Sequence, residues 1–249
     1  MMTESKRNYN RWEPSRRWVR VRFGDEFVAD SKNTILAWSG PYQITYYFPP
    51  EDVCMDLLEP TGRGGKGRET WHVQAGNRTA ENAAWRYTAV PDGLDGIKGH
   101  IAFRWDKMDH WYEEEEEIFV HPRDPYHRVD TIPSSRHVRV VVDGVTVAES
   151  KRPFLLFETS LPVRYYLPAE DVRLDLLTPT DTHTACPYKG AASYWSVKTG
   201  DNEHKDIVWG YSDPIAEAPK IQNLYSFYNE KVDIYVDGEL EKRPETIWS

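Results

Sequence analysis

Residues 183–190 read His-Thr-Ala-Cys-Pro-Tyr-Lys-Gly and contain Cys186, one of only two cysteines in the chain. A thiol attacks or ligates as its thiolate, and nearby cations favour that form. Lys189 and a protonated His183 are spaced to do this for Cys186, and a neutral His183 could instead serve as general base. Lys189 would then stabilise a developing anion. Pro187 and Gly190 fix a sharp backbone path that aims Tyr188 and Lys189 one way. The plain alternative is a turn in which Cys186 is a small buried hydrophobe and Tyr188 and Lys189 cover the core. His183 and Cys186 also have a spacing open to two metal ligands. Further ligands would have to come from Asp181, His204 or Glu158, and none forms a recognisable pair, so no metal and no cofactor is expected.

The elements that must position this segment come from a repeat. Shifted by 119 residues, "VRVRFGDEFVADSKNTILAWSGPYQITYYFPPEDVCMDLLEPT" (19–61) aligns without a gap on "VRVVVDGVTVAESKRPFLLFETSLPVRYYLPAEDVRLDLLTPT" (138–180). Further on the offset grows by five, so that Trp71 matches Trp195, Trp85-Arg86-Tyr87 matches Trp209-Gly210-Tyr211, and Phe103 matches Phe227. The reading is two domains, 1–125 and 126–249, joined near "HPRDPYHRVDTIPSSRH", where Pro, Ser and charge accumulate. Each copy is expected to be mainly β. "WVRVRF" and "HVRVVV" are strands ending in hairpin turns at "GD" and "DG". "ITYYF", "VRYYL", "WHVQ" and "WSVK" are further strands, and "PPEDV" and "PAEDV" are single helical turns. "VDIYVDGELE" is a closing hairpin. One short helix per copy is expected, around Pro214 to Lys220 in the second.

The copies differ most at the opening motif. Where the second has "DTHTACPYKGAASY", the first has "GRGGKGRET", five residues shorter and without the His, Cys and Tyr. Lys66-Gly67 reads as a remnant of Lys189-Gly190, and Ser39-Gly40-Pro41 replaces Glu158-Thr159-Ser160. Successive backbone N–H groups with Arg63, Lys66 and Arg68 could cradle a phosphate. The stretch lacks P-loop spacing, however, and a basic hairpin loop is the simpler reading.

Ten Trp, fifteen Tyr and eight Phe make the chain rich in aromatics, and many persist in both copies. Core packing explains that first. Because side chains alternate on a strand, Tyr165 and Tyr166 face opposite ways, one to the core and one to a cleft. An aromatic cleft with a few polar groups suits a small molecule. The expected ligand-binding residues are Glu158, Tyr166, Tyr188, Trp195, Trp209 and Tyr211, with Cys186, His183 and Lys189 as catalytic candidates. The run "YEEEEEIFVH" (112–121) reads as a solvated edge that discourages aggregation, with Glu114 or Glu116 as candidates to point inward.

With both copies laid out, the chain resembles a tandem protein of the family catalogued as domain of unknown function 427. "YYFPPEDVCMDLLEPT", "YYLPAEDVRLDLLTPT" and "HTACPYKGAASYWSV" carry the resemblance, with support from "ENAAWRY" and "GHIAFRWDKMDHWYEEEEEIFVHPRDPYHRVD". The resemblance implies two β-tent-like domains, each with antiparallel sheets leaning together over a pocket. It also carries an association with nucleotidyl transfer, a chemistry that usually needs carboxylates holding Mg²⁺, and neither copy shows a convincing acidic triad for it. Relatives of the β-tent group, such as methionine sulfoxide reductase B, include several that hold zinc on two CxxC pairs. This chain has no CxxC, so that site is chemically unavailable.

The net charge of −9 argues against a nucleic-acid backbone as partner. No apolar run is long enough for a membrane span, the N-terminus has no secretory h-region, and two cysteines fit a reduced cytoplasmic protein. The expected function is binding of a small molecule, nucleotide-like or anionic, by the second copy. A Cys/His/Lys-dependent enzyme is the alternative. The first copy, with a degenerate pocket, is expected to complete an intramolecular pseudo-dimer.

Overall fold

A computed structural model describes residues 9–40, 43–62, 65, 67–246 and 248–249. The chain divides between Asp124 and Pro125 into two compact units. Both are built from antiparallel strands, joined by loops and 3₁₀ turns of three residues. Among the described residues, no helix is long and apolar enough to cross a membrane.

The second unit is centred on a seven-stranded antiparallel sheet. Its strands run in the order Val129–Pro133, Phe154–Glu158, Arg164–Leu167, Tyr225–Phe227, Asn202–Gly210, Gly190–Thr199 and Leu177–Cys186. A second sheet, of four strands, pairs Val138–Val142 with Val145–Ser150 on one side and with Asp233–Val236 on the other. The turn between Val138–Val142 and Val145–Ser150 holds only Asp143 and Gly144, both at positive φ. That is the two-residue hairpin geometry that "DG" favours. The closing hairpin Asp233–Val236/Glu239–Leu240 forms as the sequence suggests.

The first unit repeats this plan with one break. Its counterpart of the large sheet is two sheets, of three strands (Arg11–Pro14, Ile35–Trp38, Ile44–Tyr47) and four strands (Leu58–Pro60, Arg68–Ala75, Arg78–Tyr87, Ala102–Phe103). In the second unit Tyr166 and Leu167 pair with Ser226 and Tyr225, whereas in the first a single bridge, Phe48 to Ile101, remains between the corresponding strands.

The alternation expected at the paired tyrosines holds, but both members are packed. Tyr165, 3% exposed, joins a core with Val138, Val140, Leu167 and Phe227. Tyr166, 1% exposed, joins a separate cluster on the other face with Leu156, Tyr194, Trp209 and Tyr211. Tyr46 and Tyr47 divide between two clusters in the same way. Both faces of this sheet are therefore covered.

Two expectations need correction. The segment Pro214 to Lys220 is not a helix of its own. It contributes only to a three-residue 3₁₀ turn, Pro219–Ile221. Pro219 disfavours helical geometry at Ala218 before it and brings no N–H of its own. Among the five glutamates, the inward residue is Glu113, not Glu114 or Glu116. The run folds into a hairpin in which Glu113 pairs with Glu116 and the two residues between them turn, Glu114 at φ +53°. Parity is therefore set by the strand His110–Glu113, which places Trp111 and Glu113 on the buried side. There the Glu113 carboxylate accepts from the Tyr46 hydroxyl (2.8 Å) and the Arg17 guanidinium (2.7 Å).

Candidate functional site

In the second unit, two strand ends converge on one carboxylate. Leu156 and Glu158 share a face of the Phe154–Glu158 strand, the face that carries Tyr166. Glu158 pairs in register with Val129 on the edge strand, which brings His127, two residues earlier, alongside. Across the sheet, Leu177–Cys186 and Gly190–Thr199 form a hairpin whose turn, residues 187–189, projects Tyr188 and Lys189. The Lys189 N–H closes this turn on the Cys186 carbonyl (3.3 Å). Gly190 sits at φ +102°, and a Cβ there would stand 3.2 Å from the Asp213 carbonyl oxygen. Glycine is needed at that point for both reasons.

The convergence is electrostatic and aromatic. One Glu158 carboxylate oxygen faces His127 Nε2 at 2.9 Å, and the other accepts from the Lys189 ammonium. Glu158 and Lys189 are both buried. Burial pushes the Glu158 carboxyl up, but the His127 hydrogen bond and the Lys189 charge outweigh it and hold the group below the usual carboxylate range. Tyr188 stacks on the His127 imidazole, with ring centroids 4.0 Å apart and planes 19° from parallel. Behind the carboxylate, the Trp209 indole N–H donates to the Tyr166 hydroxyl at 3.1 Å. Burial raises the Tyr211 phenol well above its ordinary value, with Tyr166 and Cys186 as close neighbours.

Seven of the nine candidate residues therefore meet: Glu158, Tyr166, Cys186, Tyr188, Lys189, Trp209 and Tyr211. His183 and Trp195 do not. His183 lies three residues before Cys186 on a regular stretch of strand, so the two side chains project from opposite faces, roughly 10 Å apart along the chain. Trp195 packs on the opposite side from Tyr166, against the core containing Val197 and Phe227, with its ring 4.9 Å from Tyr225. The constellation also contains a residue that no sequence motif singles out. His127 stands inside the Pro- and Ser-rich joint, and its one signal was the aromatic-basic tetrad "PYHR" just before a strand.

Burial raises the Cys186 thiol, and the nearby Lys189 ammonium only partly opposes this. The thiol is therefore held in its protonated form, a poor nucleophile. With iodoacetamide at pH 8, Cys54, which is exposed, should react in the native protein, whereas Cys186 should react only on unfolding. Peptide mapping reads both sites in one sample, and equal native reactivity would contradict this assignment.

Among its described residues, the first unit lacks the constellation. Ser39 stands where Glu158 does. Arg68, in the place of Ala192, donates to the Tyr87 hydroxyl and lies 4.5 Å over its ring. Of the possible phosphate cradle, Arg63 and Lys66 lie outside the described residues, as does Pro41 of the Ser39-Gly40-Pro41 segment. Among the described residues, no group of three or more His, Cys, Asp or Glu side chains is placed to hold a metal ion.

A family profile described as "Domain of unknown function (DUF427)" matches residues 11–114 and again residues 130–238. The chain belongs to the DUF427 family. Each unit holds one DUF427 copy, and the Glu158 constellation marks the second copy alone. No curated protein matches the chain.

Proposed function

We propose that the second DUF427 copy binds a small molecule, nucleotide-like or anionic, at the Glu158–Lys189–His127–Tyr188 constellation. The observation that carries this reading is a buried ion pair present in one copy of a repeated fold and absent from the other. The first unit folds with Ser39 at the carboxylate position, so the fold itself does not require the pair. Buried ion pairs contribute little net stability, because desolvation offsets their attraction. Lys189 offers an ammonium that can exchange its carboxylate for an anionic group, and the stacked Tyr188 and His127 offer flat faces to a ring. The protonated, half-buried thiol of Cys186 and its separation from His183 favour binding over nucleophilic catalysis. Two free thiols fit the reducing cytoplasm in which we place the protein.

The test is quenching of intrinsic fluorescence across a panel of nucleosides, nucleotides and small carboxylates. A saturable hit is expected, and Tyr188→Ala should weaken it about tenfold or more through lost stacking. If nothing in the panel changes the emission, or if Tyr188→Ala leaves a hit unaffected, the site is misassigned.

A further inference from the structure

A second buried charge stands elsewhere on the same face of the large sheet in unit two. Arg164 lies two residues before Tyr166, and its guanidinium meets the Glu230 carboxylate through two bonds of 2.7 Å. It also donates to the Asn229 side-chain oxygen at 3.2 Å. The side chains of Arg164 and Glu230 are 7% and 0% exposed. Three rings surround the guanidinium: Trp209 at 5.5 Å, Tyr228 at 5.8 Å and Trp248 at 5.7 Å. The first two belong to the sheet and the strand-end loop. The third, Trp248, lies beyond the closing hairpin and meets Arg164 from outside the sheet.

Thr246, Trp248 and Ser249 are linked by their own hydrogen bonds. The Trp248 N–H donates to the Thr246 hydroxyl oxygen (3.1 Å), and the Thr246 N–H donates to the Ser249 hydroxyl oxygen (2.9 Å). The Ser249 N–H returns to the Thr246 carbonyl at 3.3 Å. Thr246 in turn donates its hydroxyl proton to Glu230 Oε1 at 2.7 Å. Thr246 and Trp248 thus present one hydroxyl and one indole, two residues apart, to one carboxylate and one guanidinium.

The repeat shows that part of the receiving surface belongs to unit two alone. Trp85 and Asp106 match Trp209 and Glu230, but at the positions of Arg164, Tyr228 and Asn229 the first unit has Thr45, Arg104 and Trp105. The cage occurs in the unit whose following segment fills it.

We infer that Arg164, Glu230, Trp209 and Tyr228 form a peptide-docking site whose resident ligands are the chain's own Thr246 and Trp248, held as a releasable latch. Tethering explains how so small a contact persists. A ligand on a linker of a few residues has an effective concentration in the roughly millimolar range, so weak intrinsic affinity keeps the site filled. The recognised chemistry is a hydroxyl side chain two residues before an indole. The guanidinium's edge is taken by Glu230, which leaves its face for the ring.

Modification of arginine by phenylglyoxal, read residue by residue by mass spectrometry, tests this on the full chain. In the natural protein Arg164 should be protected. In the Thr246→Val/Trp248→Ala variant it should react on the order of tenfold faster, as local rather than global opening sets access. A synthetic peptide spanning residues 242–249, added to that variant, should restore protection, whereas the same peptide with Trp248→Ala should not. The proposal is overturned if Arg164 reacts equally in both proteins or if the peptide fails to restore protection. It is equally overturned if exposure of Arg164 comes only with loss of the cooperative thermal transition.

Discussion

Replacing Lys189→Met should destabilise unit two by about 3–5 kcal/mol, because it leaves the Glu158 carboxylate buried without its cation. In thermal denaturation this is a fall of roughly 10–20 °C in the midpoint of that unit. Adding Glu158→Leu should restore most of the loss, since a buried pair replaced by apolar groups of similar volume is often neutral. The pH dependence gives an independent sign. In the natural protein, the partners hold the Glu158 carboxyl below its ordinary value. Its contribution is therefore complete above the ordinary carboxylate pKa of about 4.3 and is lost as pH falls below that, through the folded value. In Lys189→Met, burial acts with less opposition and pushes the carboxyl up. That variant should therefore regain stability as pH drops below 7 and the raised carboxyl takes up its proton. Urea denaturation at pH 7 and pH 5 checks the reversal, and parallel pH slopes in the two proteins would show that the ion pair is not the cause.

The second large effect lies in unit one. Glu113→Ala should cost about 2–4 kcal/mol, because the Tyr46 hydroxyl loses its buried acceptor and Arg17 loses its carboxylate partner. Glu113→Gln should cost less, since an amide oxygen still accepts from Tyr46. Glu115→Gln, two residues along the same run, should fall within about 0.5 kcal/mol, as expected of an exposed pair with Arg20. Urea midpoints of the three variants rank them, and a Glu115 effect matching that of Glu113 would refute the register described for this hairpin.

These two cases show what could be read before the fold was known. The repeat, the "DG" turn and the strands around Tyr46 and Tyr165 were legible because they depend on local periodicity and turn chemistry. The glutamate run was not, since a two-residue turn inside five identical residues leaves no mark in the sequence. The site was legible in part. Lys189, Tyr188 and Glu158 were indicated by the contrast between copies, which isolates what the common fold does not need. Pairing His183 with Cys186 failed because it treated the motif as a compact loop. Its first four residues are strand, where a spacing of three separates side chains instead of joining them. His127 was obscured because its partner lies 31 residues away, across an edge strand that the joint's composition concealed.

The pairing of each unit's small four-stranded sheet bears on how the chain is made. In the first unit this sheet sets Val19–Phe23 between Glu26–Ser31 and His110–Glu113, the counterpart of Val138–Val142 in the second. Val19 lies beside Glu113, and Val138 beside Val236, so this inner strand waits in each unit for one nearly a hundred residues later. Such pairings give a high contact order and slow closure. During synthesis, the first unit holds Val19–Phe23 with one open edge until His110–Glu113 has emerged, and the second repeats the delay with Val138–Val142. The ribosome thus exposes two matching unpaired edges in succession from sequences that are alike. A nascent closing strand from one copy has a near-equivalent partner in the other, and cross-pairing between copies is the misfolding route this architecture must outrun.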